Sequence, residues 1–192
     1  MDRIHSMIER FVPYNRQEEE DRAVLLAIVS SGTSLLGREC PAHFTASSWI
    51  VDSQGKNILA VWHNLYQSWS WTGGHMDGSP LFLETALREA REETGIRTLG
   101  PLDTEPFSLE ILPVNGHDRR GTYVPSHLHL IVTFLLQGDE AEPLRAKTDE
   151  NRAVRWFSPE AFIAACAEPW MNERVYLKLI DKYRRRGRAP EQ

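Results

Sequence analysis

Apolar and polar positions follow two rhythms along this chain, one helical and one alternating, and they divide it into elements. Residues 2–11 and 17–30 carry the helical rhythm, with Tyr14 and Asn15 after Pro13 as the turn between them. The second helix opens on acids, which suit the positive end of a helix dipole, and then turns apolar. Residues 31–42 hold Gly32, Gly37 and Pro41 and read as a connector. From Phe44 onward β-branched and aromatic residues take over. FTASSWIVD and NILAVWH read as two strands joined through the turn at 53–56, a hairpin. Further strands are expected at 107–114, 127–136 and 154–157, with a polar loop at 115–125 and an acidic, turn-rich stretch at 138–148. Ser158 and Pro159 suit the cap and first turn of another helix, and 170–186 reads as the last one.

The stretch 73–96, GGHMDGSPLFLETALREAREETGI, organises the rest. A glycine-rich turn runs into a helix for which Ser79 is the expected cap, Pro80 the first turn and Gly95 the left-handed exit. Leu83, Ala86, Leu87 and Ala90 recur at helical spacing, so that stripe is expected to face a core. Glu89, Glu92 and Glu93 stand at i, i+3 and i+4 and share one arc of the same helix. Like charges at this spacing cost a helix about 0.2–0.5 kcal/mol per pair, so something must compensate them. One compensation is a solvated face, in which Glu84, Arg88 and Glu92 pair at i, i+4. The other is a divalent cation, because clustered carboxylates are the hard oxygen donors that Mg²⁺ or Mn²⁺ prefers.

Composition narrows the class. The 192 residues are 41% hydrophobic and 26% charged, as in a soluble globular protein large enough for one substantial core. No apolar run approaches a membrane span and the first residues lack a signal-peptide layout, so a cytoplasmic location is expected. The net charge of −5 argues against a nucleic-acid partner; the basic stretch 182–188 reads as a solubilising helix end. Cys40 and Cys166 are too few and too far apart for a disulfide framework or a thiolate zinc site.

From Gly74 the chain runs thirteen residues to Arg88-Glu89-Ala90-Arg91-Glu92-Glu93-Thr94-Gly95-Ile96. This spacing and its nine-residue end resemble the Nudix box, G-x5-E-x7-R-E-U-x-E-E-x-G-U, in which U is a bulky aliphatic residue. Ala90 is small for its U position, and Pro80 stands where the first glutamate is expected, with Asp77 near enough to share that residue's bracing role. The resemblance covers roughly residues 44–165. It implies an α/β protein, a Nudix-like α/β/α sandwich around a mixed β-sheet. The chain is then one domain over 1–192, with a helical N-terminal extension at 1–42, a core at 43–165 and a C-terminal helix and basic tail at 166–192. HFTASSWIV, SWSWTGGHMDG and VRWFSPEAF look like a bacterial subgroup of the family that carries GGH-x-DG at the loop.

The resemblance also implies a chemistry. Nudix enzymes hydrolyse the phosphoanhydride of a nucleoside diphosphate linked to another group, with Mg²⁺ or Mn²⁺ held by the box acids. Matched position by position, Glu89, Glu92 and Glu93 are the metal ligands, together with the Gly73 carbonyl. Glu92 and Glu93 are catalytic, Arg88 orients the acids, and Glu150 is the later acid that competes with a box glutamate for the role of general base. The expected partner is a small nucleotide-type molecule, and a homodimer is compatible with the sequence.

Other residues leave alternatives open. His75 in the loop is a candidate phosphate contact or a loop brace. His127 and His129 alternate on one strand and share a face, as candidates to look into a substrate cavity. A zinc site would need a further ligand, and none is evident in the sequence. Arg119 and Arg120 are either phosphate clamps or solvated loop residues. Tyr66, Trp69 and Trp71 either anchor the hairpin or stack on a substrate ring. Two other functions compete with hydrolysis: a catalytically degenerate nucleotide-sensing module, suggested by Pro80, and an isopentenyl-diphosphate-type isomerase, for which neither cysteine lies in a suitable motif.

Overall fold

The computed structural model describes residues 2–32, 35–119 and 121–186. Two helices open it, α1 (Asp2–Arg10) and α2 (Arg16–Ser30), each within a residue of its expected ends. Asn15 caps α2 by accepting the Glu18 amide at 3.0 Å, and the Glu18 carboxylate reaches back to accept the Tyr14 amide at 2.8 Å. From α2, Arg22 donates to the carbonyls of Ile8 (2.9 Å) and Glu9, which the end of α1 leaves without helical partners.

The elements that follow are β1 (Ala42–Asp52), β2 (Ile58–His63), β3 (Ser68–Ser70), β4 (Thr72–His75), α3 (Phe82–Thr94), β5 (Gly100–Pro101) and β6 (Ser108–Val114). Then come β7 (His117–Arg119), β8 (Thr122–Val124), β9 (His127–Gly138), β10 (Asn151–Phe157), α4 (Pro159–Ala165) and α5 (Pro169–Met171). A π-helical turn, Asn172–Tyr176, leads into α6 (Leu177–Arg186). The fold is mixed α/β with a central mixed sheet in the order β10-β2-β1-β9-β5; β3 pairs with β2, β4 with β1 and β6 with β9.

Several expectations change. Gly73 and Gly74, expected in a turn, lie in β4, and the helix expected over 170–186 is divided into α5, the π-helical turn and α6. The polar loop at 115–125 contains a small antiparallel hairpin, β7 with β8, in register Asp118↔Tyr123. Its turn uses Gly121 at φ +80°, a conformation that glycine adopts without steric cost. Helix α3 begins at Phe82, so Ser79 and Pro80 precede it. Asp77 and Gly78 stand at φ +48° and +86°, and the Ser79 hydroxyl accepts the Leu81 amide at 3.2 Å in a turn of its own. The first helical bond is therefore the Thr85 amide to the Leu81 carbonyl, at 2.9 Å. The exit is as expected, with Gly95 at φ +78°.

The chain forms two compact units. The first comprises the segment up to Ser47, Gly73–Arg88 and Asp103–Phe134. In it Phe44 and Phe82 meet edge to face, and α2 is tied to β6 by a buried polar network. The Ser108 hydroxyl lies 2.5 Å from the Glu18 carboxylate and also bonds Glu110, which accepts from the Thr133 hydroxyl at 3.3 Å. Glu18 is thus a buried structural group as well as a dipole partner.

The second unit comprises Ser48–Thr72, Glu89–Leu102 and the chain from Leu135. Its core is aromatic: Trp49, Phe162 and Tyr176 pack with ring centroids 4.9–6.0 Å apart. Trp69 meets Trp62 and Phe157 edge to face, and Trp71 meets Tyr176 in the same way, so these two tryptophans serve packing. The β1–β2 turn is held by Asp52, whose carboxylate accepts the amides of Gln54, Lys56 and Asn57 at 2.9–3.1 Å and the Asn57 side chain at 2.8 Å. Ser158 caps α4 by accepting the Ala161 amide at 3.2 Å.

Candidate active site on helix α3 and a histidine cluster

The buried side of α3 differs from the expected apolar stripe. Ala86 and Ala90 are fully buried, while Leu83 and Leu87 are only half-buried. The rest of the buried side is Phe82, Thr85, Glu89 at 7% exposure, Glu93 at 3% and Thr94. Two of the three clustered acids therefore leave solvent, and the side chain of Glu92 keeps 41% exposure. A purely solvated, salt-bridged face does not describe this helix; Arg88 itself is exposed.

The acids of the second unit have partners from one turn. A Glu93 oxygen accepts the Asn151 amide at 2.7 Å; Asn151 is fully buried and its own Oδ1 has no hydrogen-bond partner. Lys147 Nζ lies 3.3 Å from Glu92 and 3.0 Å from Glu150. Burial works against the lysine's charge, but the hydrogen bonds to Glu150 and Glu92 and the field of Glu89 lift its pKa above the ordinary value. The turn is fixed by the Glu150 and Asn151 amides on the Lys147 carbonyl (2.9 and 2.7 Å) and by the Asn64 amide on the Glu150 carbonyl (2.9 Å). Glu150 is thus brought to the box acids through Lys147. Lys147 and Asn151 were not anticipated; their one sequence signal is that they flank Glu150.

This donor set fits a hard divalent cation. Three carboxylates of one helix, a fourth from the turn and a buried amide oxygen without a partner offer oxygen ligands of the kind Mg²⁺ takes. The Lys147 ammonium already supplies part of the positive charge such a cluster needs.

In the first unit, Gly73 lies on β4, and a Cβ there would sit 2.4 Å from Ser47 Oγ and 2.9 Å from the Ala46 carbonyl. Only glycine permits that approach. Asp77 makes a two-pronged bond to Arg38 at 2.6 and 2.7 Å, and that bond holds its carboxyl below the usual range. Arg38 is thereby the brace of the turn. Arg119 ends β7, and Arg120 lies outside the described residues.

Three expected histidines are gathered in the same unit, together with one that the sequence did not single out. His75, at the end of β4, His127 and His129 on β9, and His43 on β1 each place a ring nitrogen within 4.8 Å of the others. Ring centroids are 5.0–5.2 Å apart for the five close pairs. Nε2 of His127 lies 3.2 Å from Nε2 of His129. The Nδ1 atoms of His43 and His127 sit 2.9 Å from the carbonyls of Cys40 and Pro125. A ring nitrogen against a carbonyl must carry the proton, which leaves Nε2 with its lone pair. The Nε2 of His43 is buried without a hydrogen-bond partner. Burial, followed by the neighbouring rings, pushes His129 down to about 2, and burial lowers His43 as well. The missing ligand of the sequence reading was His43, one residue before the point where the strand pattern starts.

Neither cysteine is in a disulfide, and burial raises the Cys166 thiol, which takes a 3.5 Å contact from Ser68. Such a thiol is the opposite of an activated nucleophile. No described helix is long and apolar enough to cross a membrane.

Residues 41–179 match the family model of the NUDIX domain. No curated protein matches the chain. Among solved structures, a NUDIX-family hydrolase from Clostridium perfringens aligns at 22% identity and TM-score 0.50, over 74% of this chain and 96% of its own. The dihydroneopterin triphosphate pyrophosphohydrolase of E. coli aligns at 16% identity and TM-score 0.51, over 76% and 98%. The MutT protein from Methanosarcina mazei Go1 aligns at 17% identity and TM-score 0.50, over 79% and 99%. At these identities the likeness concerns the fold.

Proposed function

We propose a metal-assisted phosphoanhydride hydrolysis for this chain, which belongs to the NUDIX family and is a pyrophosphohydrolase of that type. The substrates of the proposal are nucleoside diphosphates linked to another group, or related small molecules. The observation that carries it is the burial of Glu89 and Glu93 beside the turn that supplies Lys147, Glu150 and Asn151. Acids placed there gain nothing from solvent, and their oxygens suit a hard cation.

The residues take these roles in the proposal. Glu89, Glu92 and Glu93 hold the ion, joined by the Gly73 carbonyl from the family motif, with Arg88 orienting the acids. A bound Mg²⁺, or Mn²⁺, supplies charge neutralisation for the pyrophosphate and lowers the pKa of a water. Glu92 or Glu150 takes the proton as the water oxygen bonds to phosphorus and the bridging P–O bond breaks toward the leaving phosphate. Lys147 is in contact with both acids and holds them on either side of its ammonium. For substrate binding the proposal takes Arg119 and Arg120 as phosphate clamps and His75, His127 and His129 as substrate contacts. The GGHMDG loop supports the further reading that the chain falls in the bacterial subgroup that carries GGH-x-DG.

The test is a panel of nucleoside diphosphate compounds incubated with the purified chain and Mg²⁺ in ¹⁸O-labelled water, with products followed by phosphorus NMR. The expected result is one ¹⁸O-labelled phosphate product, abolished by chelator. No product from any member of the panel, with the protein folded and Mg²⁺ or Mn²⁺ present, overturns the reading.

A further inference from the structure

We propose that His43, His75, His127 and His129 form a binding site for one divalent transition-metal ion, with Zn²⁺ as its first candidate. The site is read from the imidazoles alone and stands whether or not the α3 carboxylates carry out hydrolysis.

Geometry comes first. A zinc ion binds imidazole nitrogen at about 2.0–2.1 Å, so two nitrogens on a tetrahedron around it are about 3.3 Å apart. The Nε2 atoms of His127 and His129 already stand 3.2 Å apart, and ligand nitrogens of all four residues fall within 4.8 Å of one another. Small ring adjustments close the remaining gap.

Chemistry points the same way. Carbonyls of Cys40 and Pro125 fix the protons of His43 and His127 on Nδ1 and turn the Nε2 lone pairs toward the cluster. A backbone carbonyl behind a ligating histidine is the usual support of a metal site, because it sets the tautomer and the ring angle. The Nε2 of His43 is buried and accepts no hydrogen bond, so its lone pair has the desolvation cost without a partner. A metal ion is the partner that the other three rings leave room for.

Four nitrogen donors select against the ion that the α3 acids suit. Imidazole binds zinc, nickel, copper and iron in preference to magnesium or calcium. The chain thereby carries a nitrogen site and an oxygen site for different metals.

The experiment uses the full chain, stripped with chelator and then titrated with Zn²⁺ alone or with Co²⁺ alone. One equivalent of Zn²⁺ per chain should survive gel filtration, and Co²⁺ should give the intense visible bands of a four-coordinate site. His127→Gln, at a half-buried position, should weaken Zn²⁺ at least tenfold. His5→Gln, far along the chain in α1, should not change it. Circular dichroism confirms that each variant is folded. Should His127→Gln fail to fold, the stoichiometry and cobalt spectrum of the unmodified chain decide the matter. Less than one tightly held equivalent in the unmodified chain, six-coordinate cobalt bands, or equal affinity in a folded His127→Gln variant would each overturn the site.

Discussion

Glu89, Glu92 and Glu93 lie within five consecutive residues of one helix, whereas His43, His75, His127 and His129 come from three strands spread over residues 43–129. Each group has members withdrawn from water, Glu89 and Glu93 in one and His43 in the other, yet they meet that cost differently. The acids are charged and adjacent, so the chain gives them a lysine and an amide donor. The histidines come together from separate strands with one ring nitrogen of each close to the others, and Nε2 of His43 is buried without a hydrogen-bond partner. The acids meet their mutual repulsion with a cation and a donor from one turn, whereas the imidazoles stand with ligand nitrogens within 4.8 Å of one another. That difference separates an oxygen site for a hard ion from a nitrogen site for a softer one.

The sharpest break of this comparison is Glu93→Gln. Turnover should fall by about 10²–10⁴-fold, the range for removal of a group that acts at the reacting centre. The thermal midpoint should stay within a few degrees, because the amide can still meet Asn151. The Zn²⁺ stoichiometry of the histidines should not move. Loss of zinc together with turnover would merge the two groups into one. Next in size is an exchange of ions: after chelation, Mg²⁺ or Mn²⁺ should restore hydrolysis, and one equivalent of Zn²⁺ alone should not.

A smaller effect is expected at Lys147. Lys147→Met removes the cation held between Glu92 and Glu150, so half-maximal activity should need several-fold less Mg²⁺. Without metal the same variant should lose about 1 kcal/mol or less, the scale of a partly exposed ion pair. The lysine's folded pKa is raised, so its contribution is complete below the unfolded value near 10.4 and is lost only as pH rises through the folded one. The difference between variant and parent should therefore be flat from pH 6 to 9 in urea melts; a slope there would mean that another group is titrating.

The smallest effect tests an acid that already has its donors. Burial works to raise Asp52, but the amides of the β1–β2 turn and the Asn57 side chain outweigh it and lower its pKa. Its stabilising contribution is present above the unfolded value near 3.9 and is lost as pH falls through the folded one. Asp52→Asn should make the fall of the urea midpoint between pH 5 and 2 shallower and leave Mg²⁺ dependence unchanged.

What the sequence disclosed follows the same division. The α3 acids were legible because a helix turns residues i, i+3 and i+4 to one side, and Gly95 marked its end. Lys147 and Asn151 were not, since they reach α3 across more than fifty residues with no local pattern to announce it. His127 and His129 showed their shared face through strand alternation; His43 and His75 could join them only when other strands were in place. The start of α3 was misjudged at Ser79 because Asp77 and Gly78 take left-handed conformations that no propensity at Ser79 reveals. The β7–β8 hairpin escaped notice because it is short and largely exposed, so burial wrote no alternation into it.

The two N-terminal helices lie before the 41–179 family match, and a modular view would treat them as an accessory. The Glu18–Ser108–Glu110 network makes that view untenable for this chain. A strand whose interior serine and glutamate have come to share their hydrogen bonds with a borrowed acid is no longer built to meet water on that side. A chain cut at residue 41 would leave Ser108 without the Glu18 carboxylate and would open that buried side of β6 to water. The opening helices thus act as a wall of the sheet they precede.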